Sequence, residues 1–245
     1  MANYDPNHAV LVRGTEDIYW IGFSDPQAGF SNNPYLIVDE DEAVLIDPGS
    51  RAEEHYNTVR RKVEEVIDPK KIKYMIVHHQ DPDLCASLPL FEEIVAPDVK
   101  IIAQIRTSLF IPYYGTKSEV IAVDDGDTLE LASGRKLIFV TTPYVHFAGS
   151  MVTYDEKTKT LFSSDIFAAF SLNWTLYADE NEYYIEAFKA FTEPYIGCKE
   201  PLLSALEKAS KVPIERICPQ HGSIIDKDIE KYIEAAKNLN VGAWL

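Results

Sequence analysis

The feature that most constrains the fold is a set of short β-type runs, each followed within five residues by histidine or aspartate. Four runs end in this way, before His78-His79-Gln80-Asp81-Pro82-Asp83, Pro143-Tyr144-Val145-His146, Ser164-Asp165 and Pro219-Gln220-His221. Loops at strand ends can be irregular while the strands hold them rigidly, and open α/β sheets gather their ligands there. The pattern therefore predicts a fold whose strand ends carry the functional site.

Short β-type runs separated by turn residues fill most of the first 165 residues. Several alternate apolar and polar residues, whereas others are continuous apolar runs suited to burial on both faces. Asp125-Gly126 and Ser133-Gly134 mark tight turns. The predicted strands are residues 9–13, 17–23, 34–38, 42–46, 73–77, 99–103, 119–123, 127–131, 136–141, 151–154, 160–163 and 214–218.

Helices are predicted between and after these strands. The first covers residues 51–67, where Ser50 and Glu53 have the spacing of a capping box and Asp68-Pro69 ends the helix. The others are residues 84–95, 183–211 with a break near Pro194 and Pro201, and 227–238. Two β-rich halves with interspersed helices predict an α/β sandwich with helices outside two packed sheets. No repeat or linker is visible in residues 1–245, so a single domain is expected.

The composition argues against several classes of protein. The 23 basic and 39 acidic residues give a net charge of −16, which would repel nucleic acid and anionic membranes. No apolar run approaches the roughly 18 residues that span a bilayer, and the first residues lack the pattern of a secretory signal. Cys85, Cys198 and Cys218 form no C-x-x-C pair, which argues against a disulfide framework. A cytoplasmic protein is expected.

One strand-end segment has a spacing suited to metal chelation. His79, Asp81 and Asp83 lie at positions i, i+2 and i+4, and in an extended loop this spacing aims three side chains toward one side. The alternative is a capped turn, in which the two aspartates only cap a helix that begins near Leu84. Histidine or aspartate at three further strand ends favours the metal site.

The candidate ligands form a set without thiolate: His79, Asp81, Asp83, His146, Asp165 and His221. Three imidazoles and three carboxylates suit iron or manganese at least as well as zinc, whose hydrolases depend on more histidine. The remaining histidines are interpreted differently. His8 and His55 lie in polar surroundings and are expected to bind no metal, and His78 is expected to pack beside a ligand or to support one.

Five segments around these residues have counterparts in a known family: Leu45-Ile46-Asp47-Pro48-Gly49-Ser50, His79 to Pro89, Thr142 to Tyr154, Leu161 to Phe167, and Pro219-Gln220-His221-Gly222. Together they resemble the metallo-β-lactamase superfamily and, within it, the diiron domain of the flavodiiron proteins. The most similar group is the stand-alone oxygen-binding diiron proteins. The resemblance covers roughly residues 30–235 and implies a metallo-β-lactamase-like αββα sandwich.

The resemblance also implies a ligand set for two iron ions. By position, His79, Asp81 and His146 would bind one ion, Asp83 and His221 the other, and Asp165 would bridge both. The chain departs from the family at two positions, since Asp81 replaces a longer glutamate and Leu84 replaces a fourth histidine. The second ion would then keep only Asp83, His221 and the Asp165 bridge from the protein, unless water or His78 substitutes.

The function expected from this resemblance is binding of dioxygen for sensing or storage, as a diferric-peroxide adduct. Two ferrous ions with three carboxylates carry 4 − 3 = +1, and two ferric ions with peroxide carry 6 − 3 − 2 = +1. The buried site would therefore gain no net charge on oxygenation. A signalling protein would be the partner of such a sensor, and a homodimer is left open.

Two alternatives remain. The first is a flavodiiron-type oxygen or nitric oxide reductase that uses a separate electron donor. We see no Gly-rich phosphate loop before a helix and no rubredoxin-like cysteine pair, so no flavin, flavodoxin domain or rubredoxin domain is expected. The second is a zinc-dependent hydrolase, which Asp81 and Leu84 in place of two histidines disfavour.

Several aromatic residues are candidates for the wall of the pocket, where they would exclude water. Each could equally pack in the core or at an interface. They are Phe110, Tyr113, Tyr114, Phe147, Phe170, Trp174 and Tyr177.

Overall fold

The computed structural model of the protein describes residues 4–242. In chain order its elements are β1 (Val10–Leu11), β2 (Ile18–Trp20), β3 (Phe23–Asp25), β4 (Phe30–Asn32), β5 (Tyr35–Asp39), β6 (Glu42–Ile46), α1 (Glu53–Val66), β7 (Ile72–Val77), α2 (Pro82–Cys85), α3 (Leu88–Glu92), β8 (Lys100–Gln104), β9 (Glu119–Val123), β10 (Thr128–Glu130), β11 (Lys136–Thr141), β12 (Met151–Asp155), β13 (Thr160–Ser164), α4 (Tyr184–Tyr195), α5 (Lys199–Ala209), β14 (Arg216–Pro219) and α6 (Ile229–Lys237). Short 3-10 turns lie at Pro69–Lys71, Thr107–Leu109, Ile111–Tyr114 and Ala178–Glu180. This mixture of strands and helices confirms the predicted α/β class.

The described chain divides into two compact units. The first consists of residues 4–23, 32–123 and 130–135, and the second of residues 24–31, 124–129 and 136–242. Among these residues no helix combines the length and the apolar character needed to cross a membrane.

The first unit contains a seven-stranded sheet in the order β1-β2-β5-β6-β7-β8-β9. Strands β6 to β9 are parallel, and the connection from β6 to β7 runs through α1. Parallel strands joined by helices are covered on both faces, which explains why β7 reads as a nearly continuous apolar run. Val59 and Val63 of α1 are buried in one apolar cluster with Leu45 and Met75 of the sheet.

The second unit contains a five-stranded sheet in the order β10-β11-β12-β13-β14. Strands β11 to β13 are antiparallel, whereas β14 pairs with β13 in parallel. Helices α4, α5 and α6 contribute Phe188, Leu206 and Tyr232 to one buried cluster with Tyr154 and Ile217 of the sheet. The parallel pair places the ends of β13 and β14 at the same edge of the sheet.

The sequence predicted the helices in the right places but not all of their ends. Residues 183–211 form two helices, α4 and α5, and the break lies at residues 196–198, between the two prolines rather than at either of them. Residues 84–95 were predicted as one helix and instead form the short helices α2 and α3, so that prediction was wrong.

The predicted capping box at the start of α1 is also absent. The helix begins at Glu53, and its N-cap residue Ala52 makes no side-chain cap hydrogen bond. Ser50 Oγ instead lies 2.7 Å from His55 Nδ1, and the His55 ring packs 4.4 Å from that of Phe23. The hydroxyl expected to cap the helix therefore holds a histidine of its first turn.

Candidate metal centre

In the second unit, Asp165 lies between two histidines from different strand ends. Asp165 Oδ2 is 2.9 Å from His146 Nε2, and Asp165 Oδ1 is 3.6 Å from His221 Nε2. The side chains of Asp165 and His221 are 6% and 4% exposed, whereas that of His146 is 20% exposed. Each carboxylate oxygen thus faces the nitrogen of a different imidazole, which is the geometry of a carboxylate that can serve two cations.

The backbone around Asp165 turns sharply. Asp165 follows β13 directly, and Ser164 and Phe167 both have positive φ, at 52° and 69°. Residues other than glycine rarely adopt this region, and such outliers cluster at ligand sites where the surrounding structure holds them. Gln220 N donates to Ser164 O at 2.9 Å, so the turn after β13 is tied to the segment that carries His221.

His221 is held in a defined orientation by main chain and by aromatic rings. Its Nδ1 lies 2.6 Å from Ser31 O, so Nδ1 carries the proton and Nε2 keeps its lone pair. Phe30 and Phe191 pack against the imidazole, with ring centroids 4.7 and 5.4 Å away. Coordination of a metal through Nε2 requires the proton to be on Nδ1, as this contact favours.

A small network fixes the glycine after His221. Ser31 Oγ accepts from Gly222 N at 2.7 Å and donates to Gly222 O at 3.0 Å, and Trp174 Nε1 also donates to Gly222 O at 3.0 Å. Trp174, an expected pocket residue, therefore supports the backbone beside His221. Sequence reasoning missed Phe30, Ser31 and Phe191, because nothing in their local pattern marks them.

In the first unit, His79 and Asp81 follow β7 and lie together. His79 is fully buried, and its Nε2 is 3.5 Å from Asp81 Oδ2. Asp81 occupies the N-cap position of α2 but makes no side-chain capping hydrogen bond, which argues against the capped-turn alternative. Its Oδ1 instead accepts from Gln80 Nε2 at 3.1 Å. Asp83 is the second residue of α2.

The main chain of this segment is held by side chains as well as by the helix. Leu84 N and Cys85 N donate to Asp81 O at 3.0 and 3.2 Å. Cys85 Sγ and Tyr114 OH both donate to Gln80 O, the Cys85 sulfur at 3.4 Å. Burial raises the pKa of the Cys85 thiol and of the Tyr114 hydroxyl, so both remain protonated donors near neutral pH.

His78 is paired with an aspartate from the neighbouring strand end. Its Nδ1 lies 2.6 Å from Asp47 Oδ2, and its backbone N donates to Asp47 Oδ1 at 2.9 Å. Both side chains are buried, at 1% and 3% exposure. Asp47 therefore fixes the start of the segment that carries His79. The sequence offered a signal for Asp47, since it belongs to the Leu45–Ser50 segment.

Leu84 belongs to the apolar core of the first unit. It is fully buried in the same cluster as Leu45, Val77 and Leu88. Its carbonyl accepts from Gly49 N at 2.8 Å, which ties α2 to the turn after β6.

The remaining aromatic candidates take different positions. Tyr113 is 87% exposed and Phe110 is 42% exposed, so these two lie at the surface rather than in the expected pocket wall. Tyr177 is buried, and Phe170 packs against Phe191 with a centroid distance of 5.3 Å. The backbone N of Phe147 donates to Ser150 Oγ at 3.0 Å.

Comparison with known proteins identifies the class. A sequence model of the family described as ODP family beta lactamase matches residues 30–222 of this chain. These residues contain all six candidate ligands. The fold is the metallo-β-lactamase-like fold of the flavodiiron and ODP proteins, as the sequence predicted. The chain belongs to the ODP family.

Three relatives illustrate the match. An uncharacterized protein of Methanocaldococcus jannaschii is 32% identical, and the alignment covers 90% of this chain and 59% of that protein. A nitric oxide reductase of Moorella thermoacetica is 28% identical, with the same coverage of 90% and 59%. A solved structure described as a peroxy diiron species of the chemotaxis sensor ODP is 25% identical, with a TM-score of 0.82 and coverage of 95% and 96%.

The chain spans only 36% to 59% of the length of the first curated relatives that it matches. It spans nearly the whole of the ODP sensor. The relatives include both a diiron sensor and a nitric oxide reductase.

Proposed function

We propose that the chain is a non-haem diiron protein that binds dioxygen for sensing or storage. The observation that carries this proposal is the Asp165 carboxylate, whose two oxygens face the Nε2 atoms of His146 and His221. A carboxylate in this position can bridge two metal ions, one bound by each imidazole. Membership of the ODP family and the diiron content of the ODP sensor support iron as the metal.

The proposed ligands are those that the family resemblance implied. His79, Asp81 and His146 would hold one ion, Asp83 and His221 would hold the other, and Asp165 would be shared by both. The donors fit such ions, because they are neutral imidazoles and carboxylates without a thiolate. The Ser31 carbonyl, by binding Nδ1 of His221, keeps the Nε2 lone pair of that ring available.

Two bound ferrous ions supply two electrons to dioxygen. The protein would position the ions and shield the side of the centre that His221 occupies. Leu84 presents an apolar side chain where other flavodiiron sequences have a ligand, and Phe30 and Phe191 cover the His221 ring. Low access of water and protons favours retention of bound dioxygen over its further reduction.

A reductase that takes electrons from a separate donor is the second candidate. The similarity over 90% of the chain to the nitric oxide reductase of Moorella thermoacetica favours it. Conversion of dioxygen to water needs four electrons, so two must come from outside the centre.

The test combines metal analysis with oxygen uptake. The purified chain is reconstituted with ferrous iron under nitrogen, its iron and zinc are measured, and its visible spectrum is recorded before and after oxygen. We expect two irons per chain, a coloured oxygenated form lasting minutes or longer, and uptake of about one dioxygen per chain. His146→Ala should abolish the colour, whereas His8→Ala, at an exposed histidine, is the matched control.

Two outcomes contradict the proposal. One zinc per chain without iron would overturn the diiron assignment. Sustained oxygen consumption with excess NADH and a flavin reductase, at rates on the order of 10 per second, would favour the reductase instead.

A further inference from the structure

In the first unit, a hydrogen bond connects the ligand segment to a 3-10 turn that the proposed function does not use. Tyr114 ends the 3-10 turn Ile111–Tyr114, and Gly115 follows it with a φ of 86°. The Tyr114 hydroxyl donates to Gln80 O, the carbonyl that lies between the two proposed ligands His79 and Asp81. Tyr113, the residue before it, points to solvent and is 87% exposed.

We propose that Tyr114 is a positioning residue for the metal centre, because its hydroxyl fixes the peptide that sets the reach of Asp81. This inference rests on the proposed function, in which His79 and Asp81 bind the same ion. The tyrosine acts on the ligands through the main chain of Gln80, whose carbonyl accepts its hydroxyl bond.

The need for such a restraint follows from the length of the Asp81 side chain. Aspartate is one methylene shorter than the glutamate of other flavodiiron sequences, so its reach depends more directly on where the backbone lies. Ligand constellations must be held within about 0.5 Å by their supporting groups. The Gln80 carbonyl belongs to the peptide that joins Gln80 to Asp81, one residue beyond His79, so a hydroxyl bond to it restrains the main chain beside both proposed ligands.

Cys85 provides a weaker restraint of the same kind. Its sulfur lies 3.4 Å from Gln80 O and 3.3 Å from Asp81 O. A thiol is a weak donor, and it sits on α2, which is part of the ligand segment itself. Tyr114 comes from a different part of the unit, so its bond is the one that anchors the segment to an outside support.

The experiment compares Tyr114→Phe with Tyr113→Phe in the full chain. Each change removes one hydroxyl and keeps the ring, and the exposed Tyr113 is the matched control. Cobalt(II) is titrated into the metal-free proteins under nitrogen, and its affinity and visible ligand-field spectrum are recorded. We expect Tyr114→Phe to weaken cobalt binding by about tenfold and to shift the spectrum, as loss of a group that orients a ligand does. Tyr113→Phe should match the wild type.

A double-mutant cycle with Asp81→Glu identifies the mechanism. If Tyr114 compensates for the short aspartate, the longer glutamate should reduce the effect of Tyr114→Phe to about threefold or less. Equal effects in both backgrounds would overturn the link to the reach of Asp81.

Other outcomes overturn the proposal more directly. One is unchanged cobalt affinity and spectrum in Tyr114→Phe, whether or not the melting temperature of the metal-free protein falls. If Tyr114→Phe does not fold, Cys85→Ala is tested in its place. This variant should weaken cobalt binding by less than about tenfold, and unchanged cobalt binding would overturn the proposal. If His79→Ala and Asp81→Ala also bind cobalt normally, the ligand set of the proposed function fails, and the role of Tyr114 fails with it.

Discussion

In the first unit the candidate ligands His79, Asp81 and Asp83 come from a single stretch of five residues, whereas in the second His146, Asp165 and His221 come from three separate strand ends. The stretch is supported mainly through its main chain, by Asp47, Cys85 and Tyr114. The dispersed set is supported by direct contacts to its side chains, such as the Ser31 carbonyl on His221. Proximity in sequence therefore brings the first set together, whereas tertiary packing brings the second set together.

The largest effect on iron content is expected when Asp165, the proposed bridging ligand, is removed. Asp165→Ala should release both irons, because it removes a ligand from each ion, with an affinity loss of about 100-fold or more. His79→Ala should release mainly the ion on its own side. Iron per chain, measured by elemental analysis after dialysis, separates the two, and the exposed Asp98→Asn is the control. Equal iron loss in the two ligand variants would contradict a bridging role.

The second prediction concerns Leu84, where the flavodiiron resemblance implies a histidine. Because Leu84 is fully buried in the apolar core, Leu84→His should lower the free energy of unfolding of the metal-free protein by about 2–4 kcal/mol. With iron bound, the new imidazole should also change the lifetime of the oxygenated spectrum. Urea unfolding and stopped-flow absorbance measure these effects, with Leu84→Ala as the control that loses packing without gaining a ligand. An unchanged lifetime with the imidazole shown to be bound would refute our account of this position.

A third prediction tests the tertiary support of the second set. Ser31→Ala leaves the buried Gly222 N–H without its hydroxyl partner, so we expect a loss of about 1–3 kcal/mol in unfolding free energy. The His221 ring should lose its fixed position, and metal affinity should fall. Ser210→Ala removes an exposed hydroxyl and should change neither quantity. Wild-type metal affinity in Ser31→Ala would show that the carbonyl of residue 31 is enough to hold the His221 ring in place.

The smallest predicted effect is a pH dependence confined to the first unit. Burial lowers the pKa of Lys62 to about 7, although its Nζ binds Gly22 O and Pro6 O and lies 4.1 Å from the centre of the Trp20 ring. Between pH 7 and the ordinary lysine range the unfolded chain binds more protons than the folded one, so stability rises with pH. From pH 7 to 8 we expect a gain of about 1 kcal/mol for this group, lost in Lys62→Met. Urea unfolding at both pH values measures it, and an equal gain in the variant would exclude Lys62 as the source.

The contrast between the two sets also explains what could be predicted from sequence. The spacing of His79, Asp81 and Asp83 is visible in the chain itself, and a buried parallel strand is recognisable from its apolar run. The α/β class followed from such local patterns, whereas the family followed from the resemblance of the strand-end segments to known proteins.

The supporting residues could not be predicted in the same way. Ser31 lies 190 residues from His221, and no local pattern connects them. Tyr113 and Tyr114 are adjacent and chemically identical, yet one points to solvent and the other donates to Gln80 O. The split of residues 84–95 into two helices also escaped prediction, because the turn at residues 86–87 is set by Ser87 N donating to Gly49 O in another part of the unit.

The spacing of the second set has a consequence for the order of folding. His146 and Asp165 are 19 residues apart, and a further 56 residues separate Asp165 from His221. Closing such loops has an entropic cost that only the completed sheet repays, so these donors converge late. A nascent chain would have its five-residue stretch long before β14 pairs with β13, and could hold a metal only weakly at that stage. With the proposed ligand set, tight loading would therefore wait for the last strand of the sheet, and iron retention would report that the chain has finished folding.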